Sequence, residues 1–129
     1  MNIKAKKSLG QNFLIDRAVL EKIVSTTDIN NKEILEIGPG SGNLTTYILK
    51  KNPKKIHVIE KDDNLASLLK DKFNNEIEII NNDVLKIDEH KISDHKLIVF
   101  GNLPYNISTE ILSKWILNIN TNFWFESLI

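Results

Sequence analysis

The sequence predicts an α/β fold, a parallel β-sheet of about four strands flanked by helices. Three observations predict it. Short apolar runs of strand length alternate with segments whose apolar residues recur at helical spacing, and the joints between them are short. The first strand opens directly into the glycine turn Gly38-Pro39-Gly40-Ser41-Gly42 and then a helix. The run Leu97-Ile98-Val99-Phe100 is apolar without alternation, as a parallel strand buried on both faces requires.

In chain order, residues 1–15 form a basic arm (Lys4, Lys6, Lys7) without periodicity, broken by Gln11-Asn12-Phe13-Leu14. Asp16 caps a first helix carrying Val19, Leu20, Ile23 and Val24 on one face. The strand Glu33–Ile37 leads through the glycine turn into a helix that runs to about Lys51, where Asn52-Pro53 stops it. A second strand, Lys55 to Ile59, ends in Glu60. Next come a helix to Phe73 with Leu65, Leu68 and Leu69 at helical spacing, a strand Glu76–Ile80, and Asn82-Asp83-Val84. A loop or short helical turn spans Leu85 to Asp94, and the fourth strand, Lys96–Phe100, runs into Gly101-Asn102-Leu103-Pro104-Tyr105-Asn106. Ser108 is placed to cap a last helix bearing Ile111, Leu112, Trp115 and Ile116.

Composition narrows the function classes. The 129 residues give room for one small domain or part of a larger one, and 41% apolar with 26% charged residues is ordinary for a soluble protein. Net charge is zero, so no global field argues for nucleic acid or membrane, although Lys50, Lys51, Lys54 and Lys55 form a second local basic group. Cysteine is absent and His57, His90 and His95 are scattered, so neither thiolate chemistry nor a protein-bound metal is expected. No signal-peptide core or membrane-length apolar run is present, which points to the cytoplasm.

In an open parallel sheet, ligands bind beyond the carboxyl ends of the strands. Four features fall there: the Gly38–Gly42 turn, Glu60, Asp83 and the Asn102–Tyr105 loop. Glycines let the backbone approach a ligand where a Cβ would clash. Glu60, about twenty residues beyond the turn, is placed to accept from a ribose hydroxyl pair, which suits NAD or an adenosyl cofactor. Asp83 is placed to accept from an adenine amino group. Pro39 lacks an N–H, which weakens the turn as a pyrophosphate cradle. In Asn102-Leu103-Pro104-Tyr105, the Asn102 side chain and the Leu103 carbonyl offer two acceptors for an exocyclic amine. Such acceptors free its lone pair for attack on a sulfonium methyl, with Tyr105 stacking on the base.

Three motifs carry a family resemblance: Ser8-Leu9-Gly10-Gln11-Asn12-Phe13-Leu14, Glu36-Ile37-Gly38-Pro39-Gly40-Ser41-Gly42, and Gly101 to Thr109. From about Lys7 to Trp115 the chain resembles the ribosomal RNA adenine dimethyltransferases. The resemblance implies a Rossmann-like class I methyltransferase fold and S-adenosylmethionine (SAM) as methyl donor. The implied reaction is dimethylation of N6 on two adjacent adenines near the 3′ end of small-subunit rRNA. By this resemblance Asn12, Leu14, Gly38, Gly40, Glu60, Asp83 and Asn102 contact the cofactor, and Asn102, Leu103, Pro104 and Tyr105 serve the target base. The implied partner is small-subunit rRNA in the 30S pre-ribosomal particle, met by a monomer without membrane or metal.

Family members are longer, with further strands and a small C-terminal helical domain. Residues 16–117 therefore read as a partial SAM-binding domain truncated after about four strands, and residues 118–129, with Phe123, Trp124 and Phe125 consecutive, as an aberrant tail. On that reading Lys96–Phe100 is an exposed apolar edge, cofactor binding is weak and methylation slight. Three other readings are weighed. A non-catalytic RNA-binding or ribosome assembly factor would keep the fold, and an N6-adenine DNA or protein-amide methyltransferase would share the loop. An NAD-dependent oxidoreductase gives Pro39 and the Asn102–Tyr105 loop no role.

Overall fold

Ile34, Leu35 and Ile37 leave the first strand no polar face, and that strand lies at the centre of the sheet. The structure, a computed structural model, describes residues 17–101, 103, 105–117 and 125–128. Strands β1 (Glu33–Ile37), β2 (Lys55–Ile59), β3 (Glu78–Ile80), β4 (Leu97–Gly101) and β5 (Phe125–Leu128) form one sheet in the order β3-β2-β1-β4-β5. Every pairing is parallel, with Ile34 opposite Ile56 on one side and Ile98 on the other. Parallel neighbours need crossovers, and the helices supply them.

Side chains alternate between the two faces, so the sheet has two cores. On one face Ile34, Ile56, Val58, Ile98 and Phe100 meet α1 (Arg17–Val24), α2 (Asn43–Leu49) and α3 (Asp63–Phe73). On the other, Leu35, Ile37, Ile59, Leu97 and Val99 meet α4 (Tyr105–Leu117) and the turn residue Val84. The chain changes faces between β3 and β4. The carboxyl ends of β1 and β4, neighbours whose crossovers run in opposite senses, therefore enclose the crevice where such sheets bind ligands.

The four expected strands are present, and the structure adds a fifth. Phe125–Leu128 pairs with β4, so Lys96–Phe100 is not the exposed edge that the sequence suggested. The third strand is shorter than expected because residues Asn74–Glu76 form a 3-10 turn entered through Asn74 at φ 52°. The last helix starts at Tyr105, so Ser108 lies inside its first turn rather than capping it. Val19, Leu68 and Leu112 share the helical spacing yet face solvent. The seam of α3 is Leu65, Leu69 and Phe73, a stripe four residues apart that leaves Leu68 on the flank. Asp16 and the basic arm lie outside the described residues.

Candidate functional site

The glycine turn closes on itself and on its neighbours. Gly38 N–H donates to the Ile59 carbonyl of β2 at 3.0 Å, and Gly42 N–H to the Pro39 carbonyl at 3.0 Å. Gly38, Gly40 and Gly42 all have positive φ, where a side chain is strained. At Gly42, with φ 88°, a Cβ would also stand 2.6 Å from the Phe73 ring. At Gly38, with φ 66°, it would stand 2.6 Å from Leu103 Cδ2. Leu103 follows β4, so that contact joins the turn after β1 to the loop after β4 across the switch in the sheet.

Three acids line the same edge in different states. Glu36 is buried in β1 and accepts a short hydrogen bond from the Thr45 hydroxyl of α2. Burial pushes its carboxyl up to about 7, against the lowering effect of Thr45 and with a further push from Glu60. Glu60 is also raised, mainly by burial, and is held back by hydrogen bonds from the amides of Asp62 and Gly40. The Asp62 N–H lies 2.9 Å from Glu60 Oε2. Asp83, half-buried beyond β3, caps the 3-10 turn Val84–Lys86 by accepting from Leu85 N–H at 3.0 Å. Lys61 Nζ stands 3.8 Å from its other oxygen. Asn81 ties these two regions together, its side-chain amide donating to the Glu60 carbonyl at 3.3 Å.

Of the residues singled out from sequence, Gly38, Gly40, Glu60, Asp83 and Leu103 therefore meet at one edge of the sheet. Tyr105 opens α4 just beyond it. Asn12, Leu14, Asn102 and Pro104 lie outside the described residues. Sequence reasoning gave Glu36 no role. The available signal was an acid inside an apolar strand, with hydroxyl-bearing Thr45 on the helix that folds back over it. Two buried carboxyls beside a turn that lacks one N–H, at Pro39, disfavour a pyrophosphate and suit a cationic, hydroxyl-rich ligand. An adenosyl sulfonium meets that description, and Glu60, Asp83 and the glycine turn are the groups that would hold it.

Comparison with known proteins agrees with this geometry. A family model described as ribosomal RNA adenine dimethylase matches residues 2–127. The ribosomal RNA small subunit methyltransferase A of Pelagibacter ubique (strain HTCC1062) is 78% identical over 129 residues, covering 100% of this chain and 49% of the relative. Among solved structures, a dimethyladenosine transferase from Plasmodium falciparum superposes with a TM-score of 0.72 at 27% identity, covering 91% of this chain and 42% of that one. The 23S rRNA methyltransferase ErmE gives 0.71 at 29% identity, covering 81% and 43%. The chain spans about half the length of the curated relatives it matches. Its fold is thus the Rossmann-like one of class I methyltransferases, and the chain belongs to the ribosomal RNA adenine dimethylase family.

Proposed function

We infer that this chain is the cofactor-binding half of a SAM-dependent enzyme that dimethylates N6 of two adjacent adenines near the 3′ end of small-subunit rRNA. The observation that carries the reading is the packing of Leu103 on Gly38, which sets the proposed target-base loop against the proposed cofactor turn. Glu60 holds the ribose and Asp83 the adenine amino group, while Asn12 and Leu14 of the arm complete the cofactor contacts. The bound cofactor supplies a methyl group on a sulfonium. Asn102 and the Leu103 carbonyl accept from the target amine and localise its lone pair, and Pro104 and Tyr105 fix and stack the base. An adenine must leave its stack to reach them, at least cost from an unpaired or hairpin site. The name of the 78% identical relative supports the small subunit over 23S rRNA as substrate.

A thermal melt with and without S-adenosylhomocysteine tests the cofactor assignment. At 100 times its dissociation constant the ligand adds roughly 2.7 kcal/mol to a folded binder, a clear upward shift. No shift at saturating ligand overturns it. Transfer of labelled methyl from SAM to unmethylated 30S particles but not to 50S particles tests the substrate. Transfer to 50S particles and not to 30S particles would overturn the substrate.

A further inference from the structure

Among the described residues outside that site, buried Glu89 and Trp115 and partly buried Lys114 form a hydrogen-bonded polar cluster. Glu89 is 4% exposed, and Trp115, 6% exposed, donates its indole N–H to Glu89 Oε2 at 2.7 Å. Lys114 Nζ lies 2.9 Å from the same oxygen and 3.1 Å from Oε1. Lys114 also donates to two backbone carbonyls, Val84 at 2.7 Å and Ile87. These carbonyls belong to the segment just after Asp83, whose turns are held from within by Lys86 N–H to Asp83 and by Ile87 N–H to Val84. Lys114 and Trp115 belong to α4, which begins at the end of the Asn102–Tyr105 loop.

We propose that the Glu89–Lys114–Trp115 cluster is a positioning device that fixes Asp83 relative to the loop after β4. It thereby sets selectivity for the amino group of the cofactor's adenine. The apolar cluster that Val84, Ile87 and Ile92 share with Ile111 and Trp115 of α4 presses the segment down but does not choose its register, because such contacts are non-directional. The ammonium does choose it, since three N–H groups directed at two carbonyls and a carboxylate allow few arrangements. An ion pair with one partner buried and the other largely so is a poor source of stability, since desolvation offsets the attraction, and specifying one arrangement is the best-attested use of such a pair. The Val84 carbonyl that Lys114 grips is one residue from Asp83, so its displacement carries the Asp83 carboxylate with it. This inference rests on the assignment of Asp83 to the adenine.

Two variants and two readouts test it. Lys114→Met keeps the aliphatic stem and removes the donors, and Glu89→Gln keeps an acceptor for Trp115 and removes the charge. In the clamp's absence, hydrogen exchange at the Lys86 and Ile87 amides quickens by about tenfold while the Gly38–Gly42 turn is unchanged. The unaltered chain is expected to bind S-adenosylhomocysteine more tightly than its deaminated analogue S-inosylhomocysteine, and both variants to lose most of that preference. Unchanged exchange in both variants overturns the clamp. A preference preserved while exchange quickens overturns the link to Asp83 and leaves a merely structural cluster. An unaltered chain that binds both ligands equally overturns the adenine assignment itself, and with it the selectivity role. If Lys114→Met does not fold, Glu89→Gln alone decides, by the same criteria.

Discussion

The two ends of the sheet treat their acids in opposite ways. At the carboxyl ends of the strands Glu36 and Glu60 are buried and their carboxyls are pushed up, Glu36 to about 7. At the amino ends Glu78 is half-exposed and lies 2.9 Å from Lys55 Nζ, which holds its carboxyl below the usual range. At one end burial disfavours the charged carboxyl, and at the other a lysine favours it. Groups held away from their preferred ionisation are what a binding edge needs, and satisfied pairs are what a supporting edge needs. The contrast falls on the edge that also carries the glycine turn.

The largest effect should come from disturbing the binding edge's backbone. Gly42→Ala adds a Cβ at φ 88° against the Phe73 ring and should cost roughly 2–5 kcal/mol, read as a lower midpoint in denaturant. A loss below 1 kcal/mol would show that the turn tolerates side chains and would weaken its reading as a close-approach site.

The Glu36 carboxyl gives a pH signature of known sign. Its folded value of about 7 exceeds the unfolded 4.5, so between these the folded chain keeps a proton that the unfolded chain releases. That stability is complete below pH 4.5 and is lost as pH rises through about 7, by roughly 3 kcal/mol in all. Glu36→Gln should flatten that decline in a series of melts across the window. Glu78 runs the other way: its lowered value contributes stability above 4.5 that fades as pH falls through the folded value.

Glu60→Gln separates binding from folding. It should weaken S-adenosylhomocysteine by roughly tenfold or more in calorimetry, as loss of a charged acceptor does, while leaving the melting temperature at pH 8 unchanged or raised. Equal affinity would remove Glu60 from the ribose. The smallest effect is expected at the other end, where Lys55→Ala breaks an exposed pair and should shift the melt slightly at low salt and not at all at high salt. A shift as large as that of Glu36→Gln would erase the contrast between the two edges.

Much of this was legible in the sequence because it is local. β1, the glycine turn and α2 follow one another without interruption, and β4 announces itself as four apolar residues in a row. The clustering of Gly38, Glu60, Asp83 and Leu103 was legible for the same reason, since parallel strands place all of their carboxyl ends on one edge. What was not legible depends on long-range partners. The pairing of Phe125–Leu128 with β4 cannot be read from a segment where Phe123, Trp124 and Phe125 obscure any alternation. Ser108 offered a good cap, but the helix already starts at Tyr105, three residues earlier. The Glu36–Thr45 bond and the grip of Lys114 on the Val84 carbonyl depend on which faces meet. That is a property of the assembled layers, not of spacing.

The strand order also dictates a sequence of assembly. β1 is made before any of its partners and lies in the middle, so β2 and then β3 add outward on one side, each after a single helix. The other side waits for β4, which pairs Ile98 with Ile34 across nearly the whole intervening chain. Contacts between residues so far apart in sequence form slowly, since the chain loses much freedom before it gains them. The seam between β1 and β4 is thus the step that topology expects to be late, and it is also the seam that Leu103 and Gly38 close. A chain caught before that step holds Glu60 and Asp83 on the finished half, while the loop that carries Leu103 has yet to reach Gly38.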